Sequence, residues 1–388
     1  MTTSEWTPNA ALKYCQVASP AHPFHTEYGD TLPEITVAYE TWGTLNAARD
    51  NVVLVFHALT GDAHAARHPE IHGDRPGWWE PVIGPGKPLD TNRYFVICAN
   101  TLGSCYGTTG PRSIAPDGRQ YNLRFPALTV RDLVNCQLRL LDALGIRHIE
   151  CAIGGSLGGM QVVELAASAP DRVRNAVVIA ASARFHSQGI AFNEVQRRAI
   201  MLDPRWQNGD YLDDCPPEDG IGVARMLGMI TFQSDSYMTS RFDRLSASRP
   251  SDWSDFQGRY DVEGYLHHQG RKLATRFDAN TYLYLSRAMD TQDIGRGRGT
   301  LEAAAARIQA RTTVIGVSSD LLFPPCYVRQ TAEVISNAGA DARYVEVESR
   351  EGHDAFVKEV ARLEPVIRAA VSCETEALEQ QWGERVSA

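Results

Sequence analysis

The chain has 388 residues, of which 43% are hydrophobic and 22% charged, with a formal net charge of -9. With a mean hydropathy of -0.28, this is a folded globular composition with enough apolar residues for a substantial core, and it excludes a disordered or low-complexity chain. The acidic balance argues against a general binder of phosphate backbones but leaves room for a local basic pocket.

The N-terminal Met1-Thr2-Thr3-Ser4-Glu5-Trp6 has no basic region leading into an apolar one, and no run reaches the length of a membrane span. A cytoplasmic protein without membrane or nucleic-acid partners is therefore expected. The eight cysteines are scattered without a Cys-x-x-Cys pair, which indicates neither a disulfide framework nor a zinc site.

In chain order, residues 35–40 alternate apolar and polar as a half-buried strand does. Residues 51–56, Asn-Val-Val-Leu-Val-Phe, form a continuous apolar run suited to a strand covered on both faces. It leads into His57-Ala58-Leu59-Thr60-Gly61-Asp62. A further strand is predicted at 94–99, opening into the glycine-rich loop 103–111, and a helix at 130–144 with Leu133, Cys136, Leu140 and Leu144 on one face. Residues 151–160 then read as strand, sharp turn and helix around Gly154-Gly155-Ser156-Leu157-Gly158, and 175–180 as the next strand. Alternating strands and helices imply a parallel sheet wrapped by helices, with functional groups at the carboxyl ends of the strands.

The rhythm breaks near Ala183. Residues 185–299 are aromatic, Arg-rich and helical in pattern, punctuated by Pro216-Pro217 and Asp252-Trp253, before strand signals return at 312–317 and 342–347. The expected organisation is a discontinuous core, 1–184 and 300–375, a helical lid inserted at 185–299, and a charged tail at 376–388.

Gly-x-Ser-x-Gly on a strand-to-helix turn marks Ser156 as a candidate nucleophile. Its base needs a late-strand loop and its orienting carboxylate the end of the preceding strand; His353 and Asp320 meet those requirements. The order Ser156, Asp320, His353 is that of an α/β-hydrolase core. The backbone amides of Leu157, directly after the nucleophile, and Leu59, in the loop after the 51–56 strand, are the candidate oxyanion donors. His57 shares that loop and is read as structural. His64, His68 and His72 are spaced i, i+4, i+8, but Pro69 and Gly73 break a continuous helix and no acidic ligand is obvious nearby, so no metal is expected. Trp78-Trp79 is read as a packed aromatic pair.

The wording around these residues resembles the homoserine O-acetyltransferase family. It runs through His57-Ala58-Leu59-Thr60-Gly61-Asp62-Ala63-His64, Tyr106-Gly107-Thr108-Thr109-Gly110-Pro111, Gly154-Gly155-Ser156-Leu157-Gly158-Gly159-Met160-Gln161, Arg276-Phe277-Asp278-Ala279-Asn280 and Gly352-His353-Asp354-Ala355-Phe356, over about 39–357. The resemblance implies a ping-pong transfer from acetyl-CoA, as co-substrate rather than resident cofactor, through acyl-Ser156 to the γ-hydroxyl of L-homoserine, on the route to methionine. It also implies a homodimer, with Arg225 for the homoserine carboxylate and Asp354 for its ammonium group. Phe232 stands where the family pattern has a tyrosine. Succinyl-CoA-using relatives are expected to carry an arginine two positions after the triad aspartate; Leu322 stands there and offers nothing to a free carboxylate, which points to acetyl-CoA. The alternatives are an O-succinyltransferase acting on homoserine or serine, a plain esterase or thioesterase, and a non-enzymatic binding protein on the same scaffold.

Overall fold

In a computed structural model, the structure describes residues 10–71, 73–244 and 260–372. His72, Asp252-Trp253 and the tail at 376–388 lie outside the described residues. Eight strands form the central sheet: β1 (Lys13–Ala18), β2 (Ile35–Trp42), β3 (Val52–Phe56), β4 (Phe95–Ala99), β5 (Ile149–Gly155), β6 (Val173–Ile179), β7 (Arg311–Val317) and β8 (Ala342–Val347). Their spatial order is β1-β2-β4-β3-β5-β6-β7-β8. β2 pairs antiparallel with both β1 and β4, and every pairing from β4 to β8 is parallel. The sheet strand not anticipated from sequence is β1, in which three of six side chains are exposed.

The apolar run of β3 is buried on both faces, as its composition requires. Val52, Leu54 and Phe56 join the core under α1 (Val130–Ala143) and α2 (Leu157–Ser168). Val53 and Val55 join the core on the opposite face. Thr129 starts α1 with a capping box: its hydroxyl accepts from the Asp132 amide, and the Asp132 carboxylate accepts from the Thr129 amide. Nearly every residue of α2 is buried, so the helix behind Ser156 is packed on all sides.

Between β6 and β7 the described chain is largely helical: α3 (Ser187–Leu202), α4 (Glu218–Phe232), α5 (Asp235–Phe242), α6 (Asp261–Ala274), α7 (Ala279–Asp290) and the short α8 (Leu301–Ala305). The core then resumes with β7, α9 (Pro325–Asn337), β8, α10 (Ala355–Lys358) and α11 (Val360–Ser372). Leu363, Val366 and Ile367 of α11 cover the second face of the sheet.

A buried ion network fastens α2 to the segment returning from this helical run. Glu164 Oε1 accepts from Arg131 Nε and from Arg298 Nη2, both at 2.7 Å. The Glu164 side chain is 3% exposed. Arg131 would keep Glu27 and Arg298 the Ile294 carbonyl, so losing their shared charged acceptor in Glu164→Ala is expected to cost about 1.5–3 kcal/mol. Urea unfolding should show a lowered midpoint with an unchanged m-value, and a change under about 1 kcal/mol would mean that the network contributes little.

Candidate active site

Ser156 sits where β5 ends and α2 begins, with φ 59° and ψ -126°. Its amide donates to the Ile179 carbonyl of β6 at 3.0 Å, fixing the turn against the neighbouring strand. A Cβ on Gly158 would stand 2.2 Å from the Phe56 carbonyl oxygen, so that position tolerates only glycine without backbone movement. Leu157 is the first residue of α2, where a helix leaves its N–H without an internal partner. Leu59 lies in the loop after β3, against the same cavity as Ser156.

Asp320 follows β7 and is buried. Its Oδ1 accepts from the amides of Leu322 and Phe323, both at 2.8 Å, and its Oδ2 faces His353 Nδ1 at 2.7 Å. A carboxylate held by two amides accepts, so Nδ1 carries the ring proton and Nε2 presents a lone pair. Nε2 is buried and has no hydrogen-bond partner among the described residues. Phe323 stacks on the ring at 5.3 Å, and Phe232 and Phe356 contact it at 5.8 and 5.7 Å. Burial disfavours the protonated ring, but Asp320 and then Asp354 outweigh it and hold the pKa above the ordinary 6.5.

Gly352, with φ 70°, lets this loop press against the end of α4: a Cβ there would meet the Phe232 carbonyl oxygen at 2.7 Å. The same helix carries Arg225, whose guanidinium lies 5.3 Å from the centre of the Phe232 ring. Burial lowers the Arg225 pKa against the opposing charge of Asp354. Asp354 Oδ2 accepts from Gln233 Nε2 at 2.7 Å and faces Lys358 Nζ at 3.4 Å. Ser156, His353, Arg225, Phe232 and Asp354 line one cavity of about 230 Å³.

Three further side chains on that cavity were not singled out from sequence: Arg276, Lys358 and Phe356. Arg276 Nη1 donates to the Thr60 carbonyl at 3.0 Å and to the Tyr106 hydroxyl at 2.6 Å. Both motifs are visible in the sequence, but no spacing rule joins positions 170 residues apart. Trp78 and Trp79 stack at 5.1 Å as the pair reading expects, and Trp78 also borders the cavity.

Leu322 is 4% exposed and packs in the core rather than lining the cavity, while its amide holds Asp320. His57 is tied at both nitrogens: Nδ1 donates to the Ala58 carbonyl at 2.8 Å, and Nε2 accepts from the Thr101 amide at 3.0 Å. This is a bracing role, and burial lowers its pKa. One sequence argument needs correction. An acidic group does stand beside His64 and His68: Glu40, from β2, reaches both at 2.9 and 2.8 Å, because sheet pairing and not sequence proximity brings it there.

The strand order, the Ser156 turn and the buried His353–Asp320 pair define an α/β-hydrolase, and a family profile described as alpha/beta hydrolase fold matches residues 51–360. A homoserine O-acetyltransferase of Symbiobacterium thermophilum is 52% identical over 92% of this chain and 94% of that protein. One from Moorella thermoacetica is 47% identical over 89% and 92%. The chain belongs to the homoserine O-acetyltransferase family. Among solved structures, homoserine O-acetyltransferase from Bacillus anthracis superposes with a TM-score of 0.86 at 27% identity, covering 98% of this chain and 100% of that one. An esterase superposes at 0.85 with 31% identity, covering 93% and 100%.

If His353 is the base, its neutral form is the active one, and its raised pKa places the acid limb of kcat/KM above pH 6.5, with the rate falling as pH drops through it. A limb at or below 6.5 would contradict this. Asp320→Asn should lower kcat by about 10⁴-fold in the same assay.

Proposed function

We propose that this chain transfers the acetyl group of acetyl-CoA to the γ-hydroxyl of L-homoserine, releasing CoA and O-acetyl-L-homoserine for methionine biosynthesis. The observation that carries the substrate reading is a single cavity offering a nucleophile, a base, one buried guanidinium and one carboxylate. A zwitterionic amino acid needs opposite charges set apart: Arg225 can hold its carboxylate in bidentate fashion and Asp354 its ammonium group.

In this reading Ser156 Oγ attacks the thioester carbonyl while His353 Nε2 takes its proton. The tetrahedral oxyanion is held by the amides of Leu59 and Leu157. Collapse expels the CoA thiolate, which takes the proton back from His353, and acetyl-Ser156 remains. The homoserine hydroxyl then gives its proton to Nε2 and attacks the ester, and a second collapse restores the serine. Acetyl-CoA is a co-substrate, and no step draws on a resident cofactor. The helices from α3 to α7 act as a lid that limits water, the competing acceptor.

For the donor, acetyl over succinyl is supported by the relatives named homoserine O-acetyltransferase, while Leu322, packed in the core, brings no cation to the cavity. Phe232 offers a ring where a tyrosine would offer a hydroxyl, so acceptor binding rests on Arg225 and Asp354. A cytoplasmic homodimer completes the reading; no helix among the described residues is long and apolar enough to cross a membrane. Val195 and Leu202 on α3 and Val223 and Ile230 on α4 are exposed apolar side chains suited to the dimer contact. Sedimentation should give a dimer at micromolar concentration, and a monomer would overturn that part.

The esterase likeness favours a second reading, in which water replaces homoserine. CoA release from acetyl-CoA and succinyl-CoA, each with and without L-homoserine, separates the two. The expected result is homoserine-dependent release with a higher kcat/KM for acetyl-CoA; release indifferent to homoserine would move the chain to the hydrolases. Arg225→Gln should raise the KM for homoserine by about 10- to 100-fold, the loss of a charged hydrogen bond, while leaving acetylation of Ser156 by acetyl-CoA intact. Ser156→Ala should reduce kcat by several orders of magnitude.

A further inference from the structure

A second cluster of chemically able side chains lies outside the cavity that holds Ser156. Glu40 Oε2, His64 Nδ1 and His68 Nε2 all fall within 4.8 Å of one another. Their side chains are 1%, 4% and 5% exposed. The outward nitrogen of each ring faces an acceptor: His64 Nε2 stands 2.8 Å from the Arg75 carbonyl, and His68 Nδ1 stands 3.4 Å from a Glu70 carboxylate oxygen. A carbonyl only accepts, so His64 Nε2 carries a hydrogen. With a neutral ring its Nδ1 then offers a lone pair towards Glu40. A neutral His68 ring with its hydrogen on Nδ1, the nitrogen facing Glu70, does the same through Nε2. With both rings neutral in those tautomers, three acceptors converge on one small volume. Asp74, whose side chain is 5% exposed and lies 3.8 Å from His64 Nε2, adds a second buried carboxylate. Asp74 is already held by the His68 amide at 2.6 Å, so with neutral rings the charge left among the three converging groups is that of Glu40, which a positive occupant would offset.

We propose that Glu40, His64 and His68 bind a divalent transition-metal ion of the zinc class, through Oε2, Nδ1 and Nε2, with water as the fourth ligand. Two imidazoles and a carboxylate form a donor set that zinc takes. The outward hydrogen bond of His64 to the Arg75 carbonyl is of the kind that orients a histidine ligand. Trp42 stacks on His68 at 5.0 Å with a 14° interplanar angle and fixes that ring further. Bonds of about 2.0–2.1 Å at tetrahedral angles separate ligand atoms by roughly 3.3 Å. The two nitrogens, now 2.9 and 2.8 Å from Oε2, open by about half an ångström to admit the ion. The competing occupant is a pair of protons, which would leave two cationic rings with centroids 6.2 Å apart repelling each other. The ion would join β2 to the chain that continues from the Leu59 loop, and it would take no part in acyl transfer.

The test uses the full-length enzyme, freed of metal with a chelator and titrated with Zn²⁺ by calorimetry and with Co²⁺ by visible absorption. One equivalent per chain with a Kd of about 1 μM or tighter, the intense absorption of four-coordinate cobalt, and proton release on binding are expected. Glu40→Gln and His68→Gln should each weaken binding at least about tenfold, while Ser156→Ala should leave it unchanged. Absence of stoichiometric binding by the wild type would overturn the proposal and leave protons as the occupant. Binding that survives in both variants would overturn it equally. If neither variant folds, the wild-type titration decides alone.

Discussion

The backbone at Ser156 is held in a conformation that costs of order 1–3 kcal/mol and persists only where its surroundings impose it. Those surroundings are the parallel pairing of β5 with β3 and β6, the approach of Gly158 to the Phe56 carbonyl and the packing of α2 on all sides. A hydroxyl lifted from a sheet edge in this way has few routes by which to relax. The Glu164 network extends the same constraint to the segment returning from the helical run. The strain at one residue is thus balanced by contacts spread over much of the core.

Charge is arranged around this fixed point in two layers. Asp320 is saturated by two amides and by His353, so its negative charge is committed to one ring. Three aromatic rings bound that imidazole and keep solvent from competing for Nε2. The second layer, Arg225 with Asp354 and its partners Gln233 and Lys358, faces the cavity and can be satisfied by a bound zwitterion. In the proposed reading the first layer serves proton transfer and the second recognition.

The parts of this picture that were legible in sequence are those encoded locally. Ser156, Asp320 and His353 each follow a short apolar run that announces a strand end, and their order is a topological signature. The resemblance supplied Arg225 and Asp354, which no pattern of spacing would have singled out. What stayed hidden depends on pairing across the chain. β1 is a short edge strand in which three of six side chains are exposed, so its apolar signal is weak. Arg276 reaches the Leu59 loop through a contact spanning 216 residues. Glu40 meets His64 and His68 because the chain that follows β3 folds back against β2, a contact that no spacing in sequence announces. Leu322 shows the converse: the position is readable, but whether its side chain turns to the cavity or the core is a matter of packing.

The cavity is shared unequally between the two parts of the chain. Ser156, His353 and both backbone segments beside them come from the sheet and its loops, whereas Arg225 and Phe232 come from a single inserted helix. That division makes the molecule modular in descent: in the proposed reading the scaffold keeps its acyl chemistry and supplies Asp354, while a helix free to diverge without disturbing the strand ends supplies the other contact to the incoming nucleophile. Kinship between hydrolases and transferases on this framework then needs no change in the reacting groups, only a different neighbour across the cleft.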